Sequence, residues 1–220
     1  MNKVNVKWTP SPNFTAGRKG KKIIAIVDHV TAGYMPGCLN WLCNPKAQVS
    51  AHYLVTKDGR IFQLVKDENT AWHAGMVKRP CWPLYDGTNP NYYTIGIEHE
   101  GFPNEDLTEA QYQASLSLHR LLVQRYEIPI DEEHIIGHYR IDSVGKANCP
   151  GPKFPWYRLF NDLRKKDEEN VVRIKILFEG KELDGFIKDG KAYVEVRKLC
   201  EALGLKVYWN DKKKQVEVRK

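Results

Sequence analysis

Lys22-Ile23-Ile24-Ala25-Ile26-Val27-Asp28-His29 is a basic turn leading into a short, β-branched apolar run. A run of that length and kind predicts a strand buried on both faces. Its C-terminal end delivers His29 and then Thr31-Ala32-Gly33. Tyr93-Thr94-Ile95-Gly96-Ile97-Glu98-His99-Glu100 alternates instead, which places Ile95, Ile97 and His99 on one face and Gly96, Glu98 and Glu100 on the other. One face is core and the other presents carboxylates. His134-Ile135-Ile136-Gly137 reads as a further short strand, ending at His138.

The intervening segments fill in an α/β pattern. Pro36 to Asn44 predicts a short helix stopped by Pro45. Val49 to Thr56 and Ile61 to Val65 are strand-like, and the Asp-Gly pair of Lys57-Asp58-Gly59-Arg60 between them signals a hairpin, which carries His52. From Asp67 to Tyr93 there is no period but much Trp, Pro, Gly and Asn, so a long ordered loop is expected, holding Trp72-His73-Ala74-Gly75. Thr108 and Gln111 form a capping-box pattern ahead of a helical stripe of Tyr112, Leu116, Leu122, Val123 and Tyr126, which predicts a helix to about Glu127, ended by Pro129. The expected architecture is a central mixed β-sheet flanked by helices, whose ligands gather outside the strand ends.

A second, smaller β-rich α+β domain follows. Tyr157 to Leu163 looks helical and Arg164 to Asn170 is a charged linker, so the division expected is 1–163, 164–170 and 171–220. In the last part Val171 to Phe178, Ala192 to Val196, Lys206 to Trp209 and Gln215 to Arg219 read as strands, and Arg197 to Leu203 as a helix closed by Gly204.

Composition narrows the function classes. With 42% hydrophobic and 28% charged residues in 220, the chain has a globular balance, and no apolar run approaches the length of a membrane span. The first residues lack the apolar stretch of a secretory signal, which leads us to expect a protein made and kept in a cytoplasm. Five scattered cysteines argue against a disulfide framework. The net charge of +7 is uneven, with 13 Lys/Arg against 8 Asp/Glu in residues 171–220. That excess suits an anionic wall polymer or a solvated basic face; no nucleic-acid motif or aromatic-laced basic stripe accompanies it.

The chemistry concentrates between Gly137 and Pro152, where His138, Lys146 and Cys149 sit in turn-rich chain. Imidazole and thiolate are ligands that Zn²⁺ prefers, and a catalytic zinc site takes three protein ligands and keeps one position open. Two are offered here; a third must come from elsewhere.

Taken in order, His29 with Thr31-Ala32-Gly33, Ser50-Ala51-His52-Tyr53, Trp72-His73-Ala74-Gly75, Ile95-Gly96-Ile97-Glu98, and Gly137-His138 followed by Lys146 and Cys149-Pro150-Gly151-Pro152 resemble the zinc-dependent N-acetylmuramoyl-L-alanine amidases over roughly residues 20–160. This amidase-2 group includes phage endolysins, wall-recycling amidases and peptidoglycan recognition proteins. The resemblance implies one zinc ion on His29, His138 and Cys149, with Glu98 as general base and Glu100, two residues on, as its competitor. It implies Lys146 as the oxyanion's partner. The family commonly places the third ligand two residues after this lysine, whereas Cys149 is three after Lys146, so either the loop bulges or the lysine aims differently. His52, His73, Trp72 and Asn91 are the implied substrate-binding residues, with Trp82, Tyr92 and Tyr93 as candidates for the groove floor.

The implied activity is hydrolysis of the bond between N-acetylmuramic acid and L-alanine in bacterial peptidoglycan. A catalytic domain joined to a small basic one without a signal resembles a phage endolysin, held in the cytoplasm until released to the wall. A recycling amidase for soluble muropeptides and a non-catalytic recognition module are the alternatives. Residues 171–220 resemble the small domains found at the N-terminus of copper amine oxidases and are expected to bind the wall.

Overall fold

Ala25, Ile26, Val27, Ile95 and Ile97 have no solvent exposure, because they form the middle of one sheet covered on both faces. The computed structural model describes residues 4–165, 172–188, 191–211 and 213–219, which fall into two compact units divided after Arg164. The first unit runs β1 (Val6–Trp8), β2 (Phe14–Thr15), β3 (Ala25–Val30), α1 (Gly37–Leu42), β4 (Tyr53–Val55), β5 (Ile61–Gln63), β6 (Thr70–Ala71), β7 (Thr94–His99), α2 (Glu109–Tyr126), β8 (Ile135–Gly137) and α3 (Trp156–Arg164).

Six strands make the main sheet, in the order β1-β5-β4-β7-β3-β8, and β2 pairs with β6 apart from it. The β4–β5 hairpin is antiparallel, while β4–β7, β7–β3 and β3–β8 are parallel, so the sheet is mixed as expected. β1, too short and too exposed to show a period, adds a parallel edge beside β5 that the sequence reading missed.

The two faces follow from alternation along the strands. Ile26, Tyr53, Ile95 and Ile97 pack against Leu118 and Leu122 of α2. Each such side chain contributes about 1.5–3 kcal/mol on burial. On the other face Ala25 and Val27 meet Ala74, Trp82 and Tyr93 of the long loop, and Leu54, Phe62 and Leu64 meet Cys38 and Leu42 of α1. Trp82 and Tyr93 stack there at 5.6 Å, as core rather than as groove floor.

α2 corrects one expectation. Thr108 accepts the Gln111 N–H at 3.1 Å, but the Gln111 side chain does not return to the Thr108 backbone. It is buried and donates to the carbonyls of Val55 and Glu100, 3.1 and 2.9 Å away, tying the helix to two strand ends instead of closing a capping box. The helix ends where expected, its last residue Tyr126 followed by Glu127, which turns left-handed at φ 54°.

Beneath the sheet centre lies a buried polar chain. Asp28, on the α2 face of β3, meets His119 at 3.2 Å. His119 Nδ1 lies 2.8 Å from the Ser115 carbonyl, Ser115 Oγ lies 2.8 Å from His99 Nε2, and His99 Nδ1 contacts the His29 carbonyl at 3.0 Å. Burial works against a charge on His119, yet Asp28 outweighs it and raises the imidazole above its ordinary value.

The second unit holds β9 (Val172–Phe178), β10 (Lys181–Lys188), β11 (Lys191–Val194), α4 (Val196–Ala202), β12 (Lys206–Asn210) and β13 (Gln215–Arg219). β9 to β11 form an antiparallel meander and β12–β13 a hairpin. β10 was not expected, and it contains Asp184-Gly185, a turn-like pair. Gly185 pairs with Ile174 and Val194, and a Cβ there would stand 2.6 Å from both the Ile176 side chain and the Tyr193 carbonyl, so glycine is what the crossing accepts. β11 ends earlier and α4 begins one residue sooner than the sequence suggested. Most of the expected 164–170 linker lies outside the described residues. Among the described residues, no helix is long and apolar enough to cross a membrane.

Replacing His119 with Ala leaves Asp28 buried without its partner. Breaking a buried pair from one side costs about 3–5 kcal/mol. Urea denaturation of His119→Ala should show a loss in that range; a loss below about 1 kcal/mol would mean that the Asp28–His119 contact does not hold the sheet to α2.

Candidate metal centre and substrate cavity

The register of the parallel strands assembles the site. His29 stands opposite Glu98 across β3 and β7, and Asp28 opposite Gly137 across β3 and β8, so His138, the first residue past β8, lands beside His29. The two rings meet edge to face with centroids 4.5 Å apart. Cys149 arrives from the following loop, its Sγ 3.8 Å from His29 Nδ1. Ligand atoms of His29, His138 and Cys149 all lie within 4.8 Å of one another.

The donors suit a metal ion. His138 Nε2 is buried without a hydrogen-bond partner, a costly arrangement unless something accepts its lone pair. Burial first, then the positive potentials of His138, His73 and Lys146, hold His29 well below the usual imidazole range. Burial, aided by Lys146, brings His138 down to about 4. Both rings are therefore neutral, the form that ligates. The Cys149 thiol is pushed up to about 12, by burial and then by Glu98. Glu98 faces the same space; its Oε2 is buried without a partner, and burial raises its carboxyl to about 7 against the opposing pull of Lys146.

These groups line one end of a cavity of about 680 Å³. Trp72 lines it too, with its Nε1 donating to Thr15 Oγ1 at 3.0 Å. Trp41 and Met76, 58% and 66% exposed, add large apolar surface to its wall. The sequence reading missed both, because a single exposed Trp on a six-residue helix carries no periodic signal.

The loop from His138 to Gly151 is held by its own backbone. After a 3-10 turn at His138–Arg140, the buried Asp142 accepts the N–H groups of Val144 and Gly145 on its carboxylate and that of Lys146 on its carbonyl. The Cys149 N–H then bonds the Lys146 carbonyl at 2.9 Å, and the Tyr139 N–H bonds the Cys149 carbonyl at 3.1 Å. The three-residue step from Lys146 to Cys149 is thus a closed turn, and Lys146 remains on the cavity wall. Gly151 anchors the far end. Its φ is +118° and a Cβ would fall 2.1 Å from the Pro103 carbonyl oxygen.

The expected substrate residues divide. His73 lines the cavity with little exposure, and Asn91 spends its side-chain oxygen on the N–H groups of His73 and Ala74, at 3.2 and 2.7 Å. His52 does not reach the cavity: it is without exposure, its Nδ1 accepts the Gly96 N–H at 3.0 Å, and its Nε2 faces Arg18 and the Asn69 carbonyl. It supports the floor from below, with a pKa of about 3 imposed by burial and then Arg18. Glu100 also leaves the site, because the strand ends at His99. Its carboxylate accepts the N–H groups of Met35 and Lys57, at 2.9 and 2.7 Å. Glu98 is the carboxylate of the pair that faces the cavity.

A mixed α/β sheet presenting two imidazoles, a thiol and a carboxylate of raised pKa at the ends of its parallel strands defines a hydrolase of the α/β class. Residues 19–152 match the family model of N-acetylmuramoyl-L-alanine amidases, and the chain belongs to that family. Residues 178–220 match the copper amine oxidase N-terminal domain. The chain is 30% identical to N-acetylmuramoyl-L-alanine amidase A of Achromobacter lyticus over 173 residues, covering 70% of this chain and 90% of that protein. It is 38% identical over 112 residues to the 1,6-anhydro-N-acetylmuramyl-L-alanine amidase AmpD of Citrobacter freundii, half of this chain and 55% of that relative. A solved AmpD derivative is similar with a TM-score of 0.60 at 29% identity, over 72% of this chain and 93% of that one. AmiD of Escherichia coli, solved with anhydro-N-acetylmuramic acid-L-Ala-D-gamma-Glu-L-Lys, is similar with a TM-score of 0.56 at 33% identity, over 64% of this chain and 57% of that one.

Gly96 tests the packing of the site floor, since a Cβ there would stand 2.5 Å from His73 Cγ. Gly96→Ala should displace that ring and lower kcat/KM on a muramoyl peptide by about 100-fold, the cost typical of a misplacement of about 1 Å. Wild-type turnover in this variant would show that His73 can move freely.

Proposed function

We propose that the chain is a zinc-dependent hydrolase that cleaves the amide between the lactyl group of N-acetylmuramic acid and the L-alanine of the stem peptide in bacterial peptidoglycan. One observation carries the reading: His29, His138 and Cys149, with an orphaned buried nitrogen on His138, converge beside the unpartnered Glu98 Oε2 at a substrate-sized cavity. His29, His138 and Cys149 would hold the zinc ion. When bound, the ion supplies Lewis acidity, polarising the amide carbonyl and making water easier to deprotonate.

Glu98 takes a proton from the attacking water as the new C–O bond forms, then delivers it to the nitrogen as the C–N bond breaks. A carboxyl with a pKa of about 7 is suited to both halves of that task near neutral pH. The Lys146 ammonium offsets the negative charge that develops on the carbonyl oxygen. Its carbonyl and the Cys149 N–H share one bond, which fixes the aim of the loop. Trp72 and His73 bound the channel, with Asn91 holding His73 in place.

The domain plan proposed is a catalytic part in residues 1–163, a linker at 164–170 and a wall-binding part at 171–220. The basic excess of the last part suits an anionic wall polymer, and its match to a separate domain family supports a separate task. In this reading the enzyme is lytic and acts on the assembled wall, in the manner of a phage endolysin. The identity to AmpD, whose name describes a 1,6-anhydro-muramyl substrate, favours a second reading, a recycling amidase for soluble fragments.

Mass spectrometry of digests should find free stem peptides beginning with L-alanine. Glu98→Gln should keep its zinc and lose about 10²–10⁴-fold in rate. Cys149→Ser should lose zinc as well as rate. Full metal and full rate in Cys149→Ser would sink the assignment of the centre. Intact walls separate the two roles: a lytic enzyme clears them and loses most of that capacity, but little activity on soluble muropeptide, when residues 171–220 are deleted. Activity confined to soluble fragments would favour recycling.

A further inference from the structure

Behind His29 the buried polar atoms form a line. His29 Nε2 lies 3.1 Å from His73 Nδ1, His73 Nε2 lies 3.2 Å from Thr94 Oγ1, and the Thr94 hydroxyl lies 2.8 Å from the Pro90 carbonyl. All are buried, so solvent does not arbitrate their protons. A neutral imidazole has one N–H and one lone pair, and two neighbouring rings can order their protons in only two directions along such a line.

The far end decides the direction. The Pro90 carbonyl only accepts, and at 2.8 Å it takes the Thr94 hydroxyl proton. Thr94 Oγ1 then offers a lone pair to His73, which must donate from Nε2. With its proton on Nε2, His73 presents a bare Nδ1 and accepts the N–H of His29 Nε2. His29 is left with its lone pair on Nδ1, the atom 3.8 Å from Cys149 Sγ.

We infer that Thr94 and His73 are positioning residues that place the proton of His29 on Nε2 and so turn a bare Nδ1 toward the metal centre. The inference rests on the proposed metal site and assigns His73 a task other than substrate contact. It also explains Gly96: a side chain there would strike His73 and break the line. Ligating histidines depend on such an outer partner for tautomer and orientation, and losing it typically costs 10–100-fold in metal affinity.

Nitrogen-15 NMR of the imidazoles in the zinc-free full chain reads the protons directly. Nε2–H at both His29 and His73 is expected; Nδ1–H at either ring overturns the inference. Zinc affinity, measured by competition with a chromophoric chelator, gives a second readout. His73→Phe keeps a ring but loses the acceptor and should bind zinc about 10–100-fold more weakly. His73→Asn, whose amide oxygen can stand where Nδ1 stood, should bind close to wild type. A purely packing role predicts the reverse order, and that order would also overturn the inference. Less than one zinc per wild-type chain would instead overturn the metal centre, a result distinguishable from a wrong tautomer in the zinc-free protein.

Discussion

The parallel register of β3 between β7 and β8 is the constraint on which the rest of the molecule depends. Strand side chains alternate with a period of two, so a slip of one residue would carry His29 through the sheet to the α2 face and Asp28 to the cavity. The register is held from both sides. Ile26 pairs with Ile95 and with Ile135, and all three are buried apolar residues that would be exposed or clashing in any shifted arrangement. Catalytic geometry here is therefore a by-product of core packing: the residues that fix the strands are not those that line the cavity, but the second set has no position without the first.

The sheet also separates two kinds of buried polarity. On the α2 face, Asp28, His119, Ser115 and His99 are linked in a chain that fastens the helix to the strands, with one Asp28 oxygen left without a hydrogen-bond partner. On the cavity face, His138 Nε2 and Glu98 Oε2 are left without partners. Unpartnered buried atoms are not confined to the cavity face, since Asp28 Oδ1 and Gln111 Oε1 also lack hydrogen-bond partners, but these two on the cavity face belong to residues that line the cavity.

Much of this was legible in the sequence where the signal was local. The apolar run ending at His29, the alternation through Ile95 and Ile97, and the Gly-Pro-rich stretch after His138 located the strand ends and the loop. What alternation could not do was say where a strand stops. Glu98 and Glu100 share a face by period, yet Glu100 lies past the end of β7 and turns to the N–H groups of Met35 and Lys57. His52 misled for a related reason, since a histidine beside a strand gives no sign of whether it lies on the floor or beneath it. The line from His29 to Pro90 could not be read at all, because it joins residues from separate segments only after folding. The step from Lys146 to Cys149 looked irregular as a spacing and is ordinary as a turn.

The second unit carries a further consequence. Among its described residues only Leu183 and Cys200 are buried in the apolar class, while Leu177, Val196, Tyr208 and Trp209 stand largely open. A segment of about fifty residues is close to the smallest that folds unaided, because its surface grows faster than its core. Its folding equilibrium is consequently the softer of the two. On warming, this unit is expected to unfold before the sheet and its cavity, giving the molecule two thermal thresholds.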